Sequence, residues 1–414
     1  MTSKSENSQA LMGANYKQKI HDLINDSKDP RIGKLIWANL VEPPNPLVNQ
    51  LLQRISSSQA LAVVFEQNGL IPENITEIQN DLGAAQLNRL KNSLKSRIAA
   101  IDVKAQVQAL ESISAAFITS EDHSWPQLID DLGEESPIGM WVRGELSSSL
   151  PIAIVGARAC SRYAQRVAYD LAAELASAGA TIVSGGAFGV DAAAHEGALS
   201  VGGRTIAFMA GGLDHFYPQA LAGLQRQIID GNGALLSEIP IGWRPARWRF
   251  LARNRLIAAF SAATVVVEAS ARSGALATAR RALQLGRPVG AVPGPINSAL
   301  SVGSNDLIKN HAHLISSAED ILEMIATERG ELFSFDRLDS VMKTESQNAT
   351  MGLDEAEQRV FDAFPLSGIA SIDKLSEVTG IDHFMVARIL STLELGGYIL
   401  KTPNGRYQRM GRNS

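Results

Sequence analysis

The side chains best equipped to do chemistry in this chain are guanidinium groups. Between Ile241 and Arg287 lie Arg244, Arg247, Arg249, Arg253, Arg255, Arg272, Arg280, Arg281 and Arg287, nine cations against the single acid Glu268, a local charge of +8 (9 − 1). Trp243, Trp248 and Phe250 are interleaved with them, and Asn254 separates Arg253 from Arg255. Guanidinium groups follow phosphates and flat rings stack on unpaired bases, so the pattern points to a single-stranded nucleic acid. The bland alternative is a solvated basic face.

Glycine-rich turns supply the second kind of candidate. Gly156-Ala157-Arg158-Ala159-Cys160-Ser161 follows an apolar run and precedes a helical pattern; backbone N–H groups, Arg158 and Ser161 could together receive a phosphate. A glycine after a buried strand is also common in any α/β fold, with Arg158 then simply solvated. Ser184-Gly185-Gly186-Ala187-Phe188-Gly189 forms a second nest of donors, and Ser273-Gly274 a third anion-ready turn. Neither G-x-G-x-x-G nor G-K-[ST] occurs, which disfavours dinucleotide and P-loop nucleotide binding. Asp191 and His195, four apart on one helix face, could bind a metal or work as base and orienter, but Asp191 is better suited to satisfying donors near the helix start. Gly211-Gly212-Leu213-Asp214-His215-Phe216-Tyr217-Pro218 is a turn with two aromatics, suited equally to packing or to contact with a base.

These turns need a frame. From Pro151 onward, short apolar runs (Ile152–Val155, Thr181–Val183, Thr205–Met209, Ala234–Leu236, Thr264–Val267, Val289–Val292) alternate with longer amphipathic stretches, as buried parallel strands and their crossover helices do. A doubly wound, mainly parallel α/β sheet follows, whose ligands lie beyond the carboxyl ends of the strands. Ahead of it, residues 16–114 read as a small helical domain (Leu87, Leu90, Leu94 and Ile98 share one face), after a disordered start over 1–15. Residues 115–150 read as an irregular lead-in with one strand, so that 115–326 forms one domain. Residues 327–352 are polar and aperiodic, a linker. Residues 353–410 read as three helices and a hairpin turning at Pro403-Asn404-Gly405, a winged helix. That tail carries eight acids and six bases from Leu353 to Met410, a net of −2 (6 − 8), which favours a protein-contact or regulatory role over a grip on duplex DNA.

The whole chain of 414 residues has a net charge of −5, so any polyanion site must be local. Its single cysteine, Cys160, excludes an internal disulfide or a multi-cysteine zinc cluster and fits a reducing compartment, with the cytoplasm as default. The first twenty residues have no apolar core of a signal peptide, and the apolar-biased run Leu256–Val267 is too short to span a bilayer. His311 and His313, two apart, read as structural.

In the central domain the chain resembles the DprA/Smf family of DNA-processing proteins. The resemblance is carried by Ile154-Val-Gly-Ala-Arg158, Ser184-Gly-Gly-Ala-Phe-Gly-Val-Asp-Ala-Ala-Ala-His195, Gly211 to Pro218, Leu236-Ser-Glu238, Phe250 to Ala258, Val266-Val-Glu-Ala269, Arg272-Ser-Gly274 and Ala291-Val-Pro-Gly-Pro295, in family order over about 151–315. It implies an extended Rossmann-like sheet, flanked by a SAM-like helical domain and a winged helix, that binds single-stranded DNA without hydrolysing it. It further implies a homodimer that protects incoming DNA in natural transformation and recombination and loads the RecA recombinase, with no cofactor, metal or catalytic residue. On the matching positions it implies a phosphate pocket of Gly156, Arg158, Ser161, Ser184, Gly185, Gly186, Phe250, Arg253, Asn254, Arg255, Ser273 and Gly274, with Lys309 at its edge. One departure is Phe188, where many members carry a basic residue. The competing expectations are a nucleotide-processing enzyme of the phosphoribohydrolase type on the same sheet, disfavoured by the scarcity of carboxylates near Glu268, and a winged-helix regulator with a ligand-sensing sheet.

Overall fold

The computed structural model describes residues 16–67, 71, 75–147, 149–310, 312–327, 355–365, 369–402 and 405–409. The expected start over 1–15, the linker beyond Thr327, His311 and the turn residues Pro403 and Asn404 lie outside the described residues. The front of the chain is helical: α1 (16–26), α2 (Pro30–Leu40), α3 (Pro46–Arg54), α4 (Ser57–Phe65), α5 (Ile75–Leu82), α6 (Ala84–Ala100) and α7 (Val103–Ser112). Local chemistry starts these helices; Asp29 accepts the N–H groups of Arg31 and Ile32 at the head of α2, with Pro30 at the first helical position. Leu87, Leu90, Leu94 and Ile98 of α6 are all buried in the core these helices share.

The strands are β1 (Ala115–Ile118), β2 (Met140–Gly144), β3 (Pro151–Val155), β4 (Thr181–Ser184), β5 (Thr205–Met209), β6 (Ala234–Ser237), β7 (Ala263–Val266), β8 (Val289–Ala291) and β9 (His313–Leu314). They form one nine-stranded sheet in the order β1-β2-β6-β5-β4-β3-β7-β8-β9. The lead-in that reads as containing one strand contributes two, β1 and β2, which extend the sheet antiparallel beyond β6; the remaining neighbours are parallel. The alternation along β3 shows how both faces are covered. Ile152 and Ile154 enter the core under α8 (Arg162–Ser177), α9 (Val190–Ser200) and α14 (Ala318–Thr327), whereas Ala153 and Val155 enter the core under α11 (Arg247–Phe260) and α12 (Gly274–Gln284). The intervening helices are α10 (Ala222–Asp230) and α13 (Val302–Lys309).

From β3 the chain winds outward through β4, β5 and β6, then returns along α11 to place β7 on the other side of β3. The loops after β3 and β7 therefore separate at a topological switch point, where an open α/β sheet has a natural crevice. The C-terminal elements are α15 (Glu355–Asp362), β10 (Ile369–Ala370), α16 (Ile372–Thr379), α17 (His383–Leu395), β11 (Ile399–Lys401) and β12 (Tyr407–Arg409), with the strands ordered β10-β12-β11 around a small core of their own. Strand β10 was not among the expected elements. Among the described residues, no helix is long and apolar enough to cross a membrane.

Candidate nucleic-acid interface

A cleft opens at the carboxyl ends of β3, β4 and β5, lined by Arg158, Gly185, Gly186, Phe188, Tyr217 and Phe250 together with the backbone turn Met209–Gly212. Arg158 is exposed, and its guanidinium lies over the Phe250 ring at 4.6 Å. Tyr217 completes the group, with its ring centroid 5.9 Å from that of Phe250. The result is a cation held against π-faces beside bare backbone, a surface suited to a phosphate next to an unpaired base.

The floor of the cleft is fixed by Arg253, which is buried. Its Nη1 donates to the carbonyl of Gly185 at 2.6 Å and to that of Phe208. Asp191, at the start of α9, answers from the other side: its carboxylate accepts the N–H groups of Gly185 at 3.1 Å and Ala187 at 3.4 Å. Gly185 is thus clamped through both of its backbone polar groups. A Cβ there would stand 2.5 Å from the Arg253 guanidinium, so any larger residue would have to displace that group from the carbonyls it holds. Burial lowers the Arg253 pKa to about 10 despite the charge of Asp191, leaving the group cationic at neutral pH. Burial raises the Asp191 pKa, against the pull of Arg253.

The turn after β3 is organised by Glu268 at the end of β7. Its carboxylate accepts the Ser161 N–H and the Ser161 hydroxyl, each at 2.8 Å, while Ser161 Oγ accepts the Ala164 N–H at the head of α8. Ser161 therefore spends its hydrogen on Glu268 and caps a helix, instead of being turned toward the cleft as a phosphate donor. Glu268, the acid an enzyme would have used, is engaged in the same contacts.

The expected site residues separate into groups. Arg158, Gly185, Gly186 and Phe250 meet in the cleft, with Gly156 in the turn behind Arg158. Ser184 is buried and donates to the Ile154 carbonyl at 2.6 Å. Asn254 donates to the Gly274 carbonyl at 3.3 Å, so Asn254, Ser273 and Gly274 form a neighbouring group on the β7 side. Lys309, at the end of α13, is exposed but does not line the cleft. Arg255 points inward, its guanidinium on the buried carboxylate of Glu238 through two bonds of 2.7 Å. Phe188, Tyr217 and His215 line the cleft without having been in the expected pocket; the aromatic turn Gly211–Pro218 was the signal that could have placed two of them.

The +8 segment is far less basic in space than along the chain. Arg247 pairs with Asp362, Arg249 with Glu42, Arg255 with Glu238, Arg281 with Glu135 and Arg287 with Asp131. Trp243 and Trp248 are likewise occupied, Trp243 lying between Arg97 at 4.4 Å and Arg249 at 4.9 Å. Of the three interleaved aromatics, Phe250 lines the cleft.

Asp191 and His195 do not act together. His195 Nδ1 lies 2.6 Å from Thr205 Oγ1, whose own hydrogen goes to the Ile182 carbonyl, so the imidazole carries its proton on Nδ1. Full burial, reinforced by the charge of Arg253, lowers its pKa to about 3. Among the described residues no cluster of three or more His, Cys, Asp or Glu side chains could hold a metal ion.

Known proteins resemble this arrangement. A family model described as DNA recombination-mediator protein A matches residues 116–326. The putative DNA processing protein DprA of Mycobacterium tuberculosis H37Rv is 40% identical over 306 residues, covering 70% of this chain and 76% of that protein. Protein Smf of Escherichia coli K12 is 37% identical over 289 residues, covering 69% of this chain and 75% of that protein. Among solved structures, DNA processing protein A (DprA) from Streptococcus pneumoniae aligns with a TM-score of 0.54 and 30% identity, over 71% of this chain and 100% of that one.

Proposed function

Since the chain belongs to the DprA/Smf family of DNA-processing proteins, we propose that it binds single-stranded DNA in the cleft at the carboxyl ends of β3, β4 and β5 and acts on it without breaking bonds. The observation that carries this reading is the Arg158 guanidinium laid over Phe250 at the mouth of a glycine-lined turn, with Tyr217 alongside. Phosphate charge meets Arg158 beside the Gly185–Gly186 turn; bases meet Phe250 and Tyr217. Duplex DNA hides its base faces in the stack and gains little from such a platform. The chemistry stays at binding because the nearby carboxylates already have work. Glu268 holds the turn through Ser161, and Asp191 holds Gly185 and Ala187.

Within that reading the bound strand is protected and passed to the RecA recombinase by a homodimer, in the cytoplasm, with Gly156, Asn254, Ser273, Gly274 and Lys309 flanking the strand. Residues 16–114 and 353–410 are separate domains around the 115–326 sheet. Fluorescence anisotropy of a labelled oligonucleotide, single-stranded against duplex and over a salt series, tests the core of this proposal. Preferred single-strand binding that weakens in Arg158→Ala and Phe250→Ala supports it; equal binding of both DNA forms, or variants that bind as wild type does, overturns the cleft as the site. Strand exchange by RecA on DNA coated with a single-strand binding protein, stimulated by the wild-type chain and not by Arg158→Ala, is the expected result for loading.

A further inference from the structure

The N-terminal turn of α11 meets the C-terminal elements and the front helices at a junction crowded with cations. Glu42 accepts from Arg97 at 2.7 Å and from Arg249 at 2.7 Å, and Arg359 of α15 faces Trp248 at 5.4 Å. Arg247 pairs with Asp362, and Arg409 of β12 stacks on Phe361 at 3.9 Å. Among the described residues, these contacts bring five guanidinium groups (Arg97, Arg247, Arg249, Arg359, Arg409) to two carboxylates (Glu42, Asp362), a surplus of +3 (5 − 2). The mutual repulsion registers in the groups themselves. Arg409 has a lowered pKa, from burial first and then from Arg247, and Arg97 is lowered by burial and then, against the pull of Glu42, by Arg249 and Arg359. The tail that is acidic in sum thus turns basic side chains to α11.

The junction is also continuous with the cleft. Arg247, Phe250, Leu251 and Asn254 recur at three- and four-residue spacings, one stripe of α11, and each is at least partly exposed, while Arg249, Arg253 and Arg255 on the other faces are buried. Arg247 stands about 4.5 Å along the helix axis from Phe250, at 1.5 Å per residue, a short step for an extended strand. Arg247 keeps 57% of its side-chain surface exposed even in its ion pair.

Resting on the single-strand reading of the cleft, we propose that this junction is a second phosphate site for the same strand, which leaves Phe250 along the exposed stripe of α11 and crosses Arg247, Arg359 and Arg409. Asp362 is the internal stand-in for phosphate: it neutralises Arg247 in the free protein and competes with the DNA for it. A carboxylate in that role must weaken binding, and removing its charge must strengthen it.

Anisotropy with the full chain and labelled oligothymidylates of about 4 and about 16 nucleotides, the span of known single-strand sites, tests this. The double variant Arg359→Glu/Arg409→Glu is expected to lose at least about ten-fold in affinity for the longer strand, with a salt slope shallower by about 1.4 for two lost phosphate contacts, and to bind the short one as wild type does. Asp362→Asn is expected to bind the longer strand a few-fold more tightly, the opposite of what a merely structural ion pair would give. Should the double variant weaken both lengths through misfolding, Asp362→Asn decides: tighter binding supports the site, and equal or weaker binding overturns it. Unchanged long-strand affinity in the double variant, or a loss confined to duplex of the same length, overturns it too. Wild-type protein that binds neither oligonucleotide removes the cleft reading as well; normal short-strand binding beside an unaffected long strand removes this proposal alone.

Discussion

The inner and outer faces of α11 do opposite things. On the inner face Arg249, Arg253 and Arg255 are buried, each met by a carboxylate or by backbone carbonyls, and they join the helix to the front of the chain, to the β4 turn and to β6. On the outer face the Phe250 ring meets Arg158 and Tyr217, with Arg253 at 6.0 Å, and among the described residues Arg158 forms no salt bridge. A cation satisfied internally shapes the site; a cation with only a ring beneath it is available to a ligand. The contrast teaches that arginine content locates a nucleic-acid surface only after the internal partners have been subtracted.

Substitutions should separate the two faces cleanly. Glu238→Ala leaves the buried Arg255 charge without its partner and is expected to cost about 3–5 kcal/mol in chemical denaturation, while whatever protein remains folded binds single-stranded DNA normally. An undiminished denaturation midpoint would erase the distinction between the faces. On the outer face, Phe250→Ala is expected to lose about 1–3 kcal/mol of single-strand binding and to leave stability within about 0.5 kcal/mol, read by anisotropy and by thermal melting of the same sample. Arg158→Ala should weaken binding too and make the salt slope shallower by about 0.7, the signature of one phosphate contact, with no change in melting temperature.

A further effect is a pH dependence confined to the interior. His195 has a folded-state pKa of about 3 against 6.5 when unfolded, so below pH 6.5 the unfolded chain takes up a proton that the folded one refuses. Its contribution is fully present above pH 6.5 and is lost progressively as the pH falls toward 3. Melting temperatures of wild type and His195→Asn measured from pH 7.5 to pH 4 should converge as the pH falls, with single-strand affinity at pH 7 little altered; parallel curves would mean that His195 is not buried neutral.

Much of the frame was legible. Six apolar runs read from the sequence became β3 to β8, because a strand buried on both faces must be apolar throughout and its ends are marked by glycine or serine. The glycine turns were legible for the same local reason, and Gly185 and Gly186 do line the cleft. Strand β1 was not: Ala115–Ile118 is a short edge strand whose identity comes from pairing with β2, over twenty residues away. Ser161 and Arg255 illustrate the harder failure. Each has the right chemistry for phosphate and the right place in a motif, yet Glu268 and Glu238 claim them.

What the sequence by itself determined is everything that acts over a few neighbouring residues: the alternation of buried strand and amphipathic helix, the turns that only glycine can make, and the presence of cations and rings on one segment. Which of those cations face a ligand was decided in the tertiary structure. The acid that neutralises Arg249 lies 207 residues away at Glu42, and that of Arg281 lies 146 residues away at Glu135. Coulomb attraction depends on distance in space and on exclusion of water, and neither is set until the chain has folded.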